Sequence, residues 1–248
     1  MPTIAHNLKQ IHAQIQAAEQ TYARVPNSVQ LLAVSKTKPA SAIVSAYQAG
    51  QRHFGENYVQ EALSKQIELG AFDITWHFIG AIQSNKTKVL ATHFDWIHCV
   101  ENLKIAQRLS SQRPDFLPPL NICVQVNISD ETSKSGVTLG ELADLVTQIS
   151  ELPNLVLRGV MAIPAPQTDF AAQREPYRKL VTAVKALKNE HLTTFSFGMS
   201  DDLDAAIAEG STLVRIGTAV FGTRTYVHNN AETANAELIA PSCKPSPK

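Results

Sequence analysis

Along the chain, short apolar runs rich in β-branched residues alternate with longer segments in which apolar residues recur at helical spacing. The alternation occurs eight times. The runs predict strands at Leu31–Ser35, His53–Gly55, Thr75–Ile79, Trp96–Val100, Asn121–Asn127, Val156–Ile163, Thr194–Met199 and Leu213–Ile216. The longer segments predict helices at Ala40–Ala49, Val59–Leu69, Lys86–Ala91, Leu103–Gln112, Leu139–Glu151, Phe170–Asn189 and Asp202–Glu209. Gly50, Gly70 and Gly210 follow three of these helices, where a left-handed cap favours glycine. Each connection is long enough to hold a helix, which implies parallel pairing of the strands it joins. Eight such units in 248 residues favour closure into a single (β/α)₈ barrel over an open doubly wound sheet.

Two stretches fall outside that repeat. Ile4, Leu8, Ile11, Ile15 and Ala18 share a helical spacing, which predicts an extra N-terminal helix packed on the barrel wall or across one end. Residues 225–248 are polar and predict a disordered tail, leaving 1–224 as the barrel domain.

Charge and cysteine content narrow the function classes. Lys plus Arg and Asp plus Glu are both 22, so no basic excess supports nucleic-acid binding. No run approaches the roughly 20 apolar residues that span a bilayer, and the N-terminal stretch lacks the apolar core of a signal peptide. Cys99, Cys123 and Cys243 form no CxxC pair and no metal-ligand set with histidine. A soluble cytoplasmic protein without a metal is expected.

In a parallel barrel the βα loops converge at the C-terminal ends of the strands, so chemistry is sought there. The first strand runs directly into Lys36, which sets an amine at the barrel mouth. Partial desolvation would leave a useful fraction of that amine free to attack an aldehyde. Most lysines just past a strand are ordinary surface residues, and Lys38, Lys86 and Lys134 compete with Lys36 for the role. Ser200 stands where the helix after the seventh strand begins, and Gly217-Thr218 open a short final helix. Together they offer free N–H groups for a phosphate; either loop alone would be read as a plain cap or turn. Arg215 sits among aliphatic residues in the eighth strand. A structural salt bridge and a donor to a ligand's pyridine nitrogen are evenly matched explanations of it. His77 reads as a satisfied core histidine rather than a base.

The segments Leu32–Pro39, Phe54–Glu61, Trp76–Lys86, Gln125–Asn127, Arg158–Pro164, Phe197–Asp202 and Gly210–Gly222 resemble, in order, those of the pyridoxal phosphate homeostasis protein family. The departures are mild: Ile82 where the family often has leucine, and Phe197 ahead of Gly198. The resemblance implies a fold-type III barrel like the N-terminal domain of alanine racemase, with pyridoxal 5′-phosphate (PLP) held as a Schiff base on Lys36. It further implies that Ser200, Gly217 and Thr218 hold the phosphate, that Arg215 faces the ring nitrogen, and that Asn57 and Met161 line the pocket.

The family handles the cofactor in intracellular vitamin B6 homeostasis, so binding without substantial turnover is expected and no catalytic residue is assigned. The alternative is a PLP-dependent amino-acid racemase or decarboxylase on the same barrel. Racemisation needs acid–base groups on both faces of the bound substrate. In racemases the second is a tyrosine from a C-terminal β-domain, which residues 225–248 are too short to form. A barrel handling a sugar phosphate without PLP is a second alternative. The expected partners are PLP and, as recipients, apo forms of PLP-dependent enzymes; a monomer is expected.

Overall fold

The computed structural model describes residues 2–129 and 135–223. Lys134 and the segment 225–248 therefore lie outside the described residues, as does Cys243. The strands are β1 (Gln30–Val34), β2 (His53–Glu56), β3 (Thr75–Phe78), β4 (Trp96–Val100), β5 (Leu120–Val126), β6 (Leu155–Ala162), β7 (Thr194–Ser196) and β8 (Leu213–Ile216). Each pairs in parallel with the next, and β8 closes on β1 through Gln30↔Leu213 to Ala33↔Ile216. The eight-stranded closed barrel expected from the apolar alternation is the fold observed.

The helices are α1 (Ile4–Thr21), α2 (Ala40–Gln48), α3 (Val59–Glu68), α4 (Thr87–His93), α5 (Leu103–Gln112), α6 (Leu142–Ser150), α7 (Phe170–Ala186), α8 (Leu203–Ala208) and α9 (Thr218–Phe221). Their apolar stripes cover the outer face of the sheet, where Phe54, Phe78, Phe94, Tyr177 and Phe197 are among the largest fully buried side chains. The extra helix α1 takes the wall position, packing against α2, α8 and α9 through buried Leu8, Ile11, Ile15 and Ala18. Burying its three large aliphatic side chains stabilises the packed form by about 1.5–3 kcal/mol each. Thr3 caps its start by accepting from the His6 N–H.

Several boundaries differ from the sequence reading for identifiable reasons. β7 stops at Ser196 rather than Met199 because Gly198 turns the chain at φ +97°. α6 begins at Leu142 rather than Leu139, since Thr138 and Glu141 close a reciprocal hydrogen-bonded turn ahead of it. Gly50 and Gly210 take the left-handed conformation expected of them, but Gly70 does not: the chain after α3 continues into a turn, with Phe72 N donating to Leu69 O.

Candidate functional site

At the C-terminal ends of the strands lies a cavity of roughly 560 Å³. Lys36, Asn57, Met161, Ser200, Arg215, Gly217 and Thr218 all line it, so the structure gathers every predicted site residue around one space. Val34, Ile79, Ile163 and Met199 give it apolar walls. Among the described residues, no cluster of His, Cys, Asp and Glu is arranged to hold a metal. No helix among them is long and apolar enough to cross a membrane.

The backbone on both sides of Lys36 is clamped by one buried ion network. Lys65 on α3 donates to Glu56 Oε1 at 2.7 Å, to Glu61 Oε1 at 2.6 Å and to the Ser35 carbonyl at 2.8 Å. Ser35 Oγ donates to Glu56 Oε1 at 2.6 Å, and the Thr37 N–H donates to Glu61 Oε1 at 2.5 Å. Thr37 holds φ +63°, a turn that swings the chain away after half-buried Lys36. Burial pushes the fully buried Glu56 carboxyl above its usual range, against the pull of Lys65. This network was not evident in the sequence. Only the Glu61–Lys65 spacing of four on a helix hinted at it.

Of the competing lysines, Lys38 donates to the carbonyls of Gly222 at 3.0 Å and Thr223 at 2.7 Å, tying down the end of α9. Lys86 belongs to a short 3₁₀ turn (Ser84–Lys86) away from the cavity lining.

The two loops expected to receive an anion sit side by side. Gly217 precedes α9, in which the Val220 N–H donates back to the Gly217 carbonyl at 3.0 Å, so the Thr218 and Ala219 N–H groups are the ones that lie ahead of the first helical bond. Thr218 and Ser200 are both exposed. Ser200 does not begin a helix as expected: α8 starts at Leu203, and its N-cap position belongs to Asp202. The Asp202 carboxylate accepts from the Met199 N–H and from the Tyr177 hydroxyl, both at 2.6 Å, so it shapes the turn carrying Ser200. Gly198 allows that turn; a Cβ there would approach the Ala206 Cβ to 2.6 Å.

Arg215 is 5% exposed and makes no ion pair among the described residues, so the salt-bridge explanation of it fails. Its guanidinium instead donates to the carbonyls of Ser196 and Ala162 and to Ser196 Oγ. Burial draws its pKa below the ordinary value. Asn57 is fixed by the close passage of Gly80, where a Cβ would lie 2.2 Å from the Asn57 carbonyl oxygen. Its side-chain Oδ1 is buried without a hydrogen-bond partner among the described residues. Met161 packs with the free thiols Cys99 and Cys123, whose pKa values burial raises, that of Cys99 to about 12. His77 is fully buried with both ring nitrogens bonded, as a core histidine should be.

An amine, an anion cradle and a buried fixed cation around one apolar-walled space suit a flat heteroaromatic aldehyde phosphate, and comparison with known proteins follows the same line. The family described as "Alanine racemase, N-terminal domain" matches residues 4–225. The pyridoxal phosphate homeostasis protein of Escherichia coli K12 is 55% identical over 231 residues, covering 91% of this chain and 99% of its own. That of Pseudomonas aeruginosa PAO1 is 57% identical over 226 residues, covering 91% and 98%. PipY of Synechococcus elongatus PCC7942, 39% identical and covering 89% of this chain and 100% of its own, superposes with TM-score 0.80 without PLP and 0.78 with PLP bound. Alanine racemase from Corynebacterium glutamicum, at 15% identity and TM-score 0.64, shares the fold over 61% of its length.

Proposed function

Because the chain belongs to the pyridoxal phosphate homeostasis family, built on the alanine racemase N-terminal domain, we propose that it serves vitamin B6 homeostasis by holding PLP covalently through Lys36. It is a PLP-binding protein. The observation that carries the residue assignment is that Lys36, Ser200, Arg215, Gly217 and Thr218 line a single cavity. When bound, the cofactor supplies a reactive aldehyde and an electron-withdrawing ring.

On this reading Ser200, Gly217 and Thr218 take the phosphate. Each charge-assisted hydrogen bond contributes about 1.5–3 kcal/mol. Exposed Asp201 also lines the cavity and opposes the anion, but water screens it. Asn57 and Met161 border the ring, and Arg215 faces its nitrogen. A guanidinium only donates, so a nitrogen accepting from it stays unprotonated and the ring is a weaker electron sink.

That arrangement favours holding the cofactor over turning a substrate over. Among the described residues lining the cavity there is no tyrosine, histidine or cysteine to act opposite Lys36. The protein then acts as a cytosolic monomer that buffers PLP and passes it to apo-enzymes. Titration with PLP, followed by visible absorption and equilibrium dialysis, tests the reading. The wild type should form a coloured complex of one PLP per chain, and racemisation of alanine should be undetectable. A colourless protein that retains no PLP, or racemisation at ordinary enzyme rates, would overturn it.

A further inference from the structure

Parallel barrels usually fill their interior with layers of branched aliphatic side chains. This one threads a line of polar side chains through it. His53 at the start of β2, His77 on β3, His98 on β4, Ser196 on β7 and Arg215 on β8 are joined in series. His53 Nδ1 lies 3.0 Å from His77 Nε2, and His77 Nδ1 lies 2.9 Å from His98 Nε2. His98 Nδ1 is 2.8 Å from Ser196 Oγ, which accepts from Arg215 Nη1 at 3.0 Å. His77, His98 and Ser196 are fully buried. His53 is half-buried and borders a second cavity with Gln30, Gly50 and Arg52, at the N-terminal ends of the strands. The line therefore runs through the barrel from its far end to the mouth.

One end of the line fixes the direction of every bond in it. A guanidinium has donors only, so Arg215 must donate to Ser196 Oγ. The Ser196 hydroxyl proton then goes to His98 Nδ1, the acceptor it meets among the described residues. His98 is left with its proton on Nε2 and donates to His77 Nδ1; His77 does the same to His53 Nδ1. Run the other way, Ser196 Oγ would receive two donors and its own proton would find no acceptor among the described residues. The favoured direction turns the negative end of each dipole toward Arg215, which has no carboxylate partner among the described residues. Burial holds His77 and His98 well below ordinary histidine pKa values, with Arg215 adding to the effect at His98, so both stay neutral.

We propose that this one-directional chain makes Ser196 and His98 positioning residues for the cofactor: it aims the Arg215 guanidinium into the cavity and keeps its charge in place beside the ring. The inference rests on the reading that PLP occupies the mouth with its ring nitrogen toward Arg215. The direction of the chain stands apart from that reading and can be tested without cofactor.

Nitrogen-15 NMR of histidine-labelled, PLP-free protein should find His98 and His77 neutral with the proton on Nε2, and Ser196→Ala should release His98 from that tautomer. A proton on Nδ1 of His98 in the wild type would overturn the proposal whatever the protein binds. With PLP, His98→Leu should raise the dissociation constant roughly tenfold, the worth of one ordinary hydrogen bond, and move the visible maximum of the bound chromophore. His98→Gln, which keeps a donor and an acceptor, should restore much of both. A folded His98→Leu protein with wild-type affinity and spectrum would overturn the positioning role while leaving PLP binding intact. If His98→Leu does not fold, the wild-type tautomers decide the matter. If the wild type does not bind PLP, the functional reading fails while the tautomers still judge the chain.

Discussion

Acidification of the cofactor-free protein from pH 7 to pH 4.5 protonates histidines in the unfolded chain but not His98 in the folded one. Burial, reinforced by Arg215, lowers the His98 pKa from an ordinary 6.5 to about 3. A histidine with a depressed folded-state pKa binds fewer protons folded than unfolded between those two values, so stability falls as pH falls through 6.5 and continues to fall until about 3. At pH 4.5 the gap of two units below the ordinary value amounts to about 3 kcal/mol from His98 alone. His77 acts in the same direction. Glu56 and Asp95 act the other way, since burial raises their folded-state pKa values and acidification relieves that cost. The comparison with His98→Gln cancels these carboxyls. Urea unfolding across this pH range should show the wild type losing about 3 kcal/mol relative to the variant, a midpoint change of about 1 M. A wild-type-minus-variant difference that stays level from pH 7 to 4.5 is the contrary outcome. It would mean that His98 is not held neutral by its place in the barrel.

Three further substitutions probe the architecture around the site. Lys65→Met leaves the fully buried Glu56 without its cation and should cost about 3–5 kcal/mol in urea unfolding, part of which Glu56→Gln in the same chain should return. Gly198→Ala asks for a Cβ at φ +97° and 2.6 Å from the Ala206 Cβ, so it should cost about 2 kcal/mol or more and weaken competition by inorganic phosphate for the PLP site. Lys38→Met removes a tie to the end of α9 from a partly exposed residue; it should change stability by less than about 1 kcal/mol and leave covalent PLP trapping intact, as measured by mass spectrometry.

The barrel was legible because strands covered on both sides appear as short, mostly apolar runs, and the limits of β4 and β8 follow from them to the residue although each carries one polar residue, His98 and Arg215. Where a strand end was misjudged, as at β7, a single glycine conformation decided it. The gathering of Lys36, Ser200, Arg215, Gly217 and Thr218 was legible for a topological reason. In a parallel barrel every strand's C-terminal end faces one way, so linear order alone brings them together. The rest depends on register. Which side chains of β2, β3, β4 and β7 meet inside the barrel is fixed by shear between strands, so the line from His53 to Ser196 had no signature in the one-dimensional pattern. The clamp on Lys36 needed α3 to fold back over β1 and β2, and nothing local to Glu56 announced a buried carboxylate.

Trapping the bound cofactor tests most directly whether Lys36 is the anchoring amine. The PLP-loaded protein should be reduced with borohydride, digested and mapped by mass spectrometry. One phosphopyridoxyl group per chain, confined to the peptide that contains Lys36, is the predicted result. A modification on Lys38 or another lysine, or none on a protein that still holds PLP, would mean that Lys36 is not the anchor.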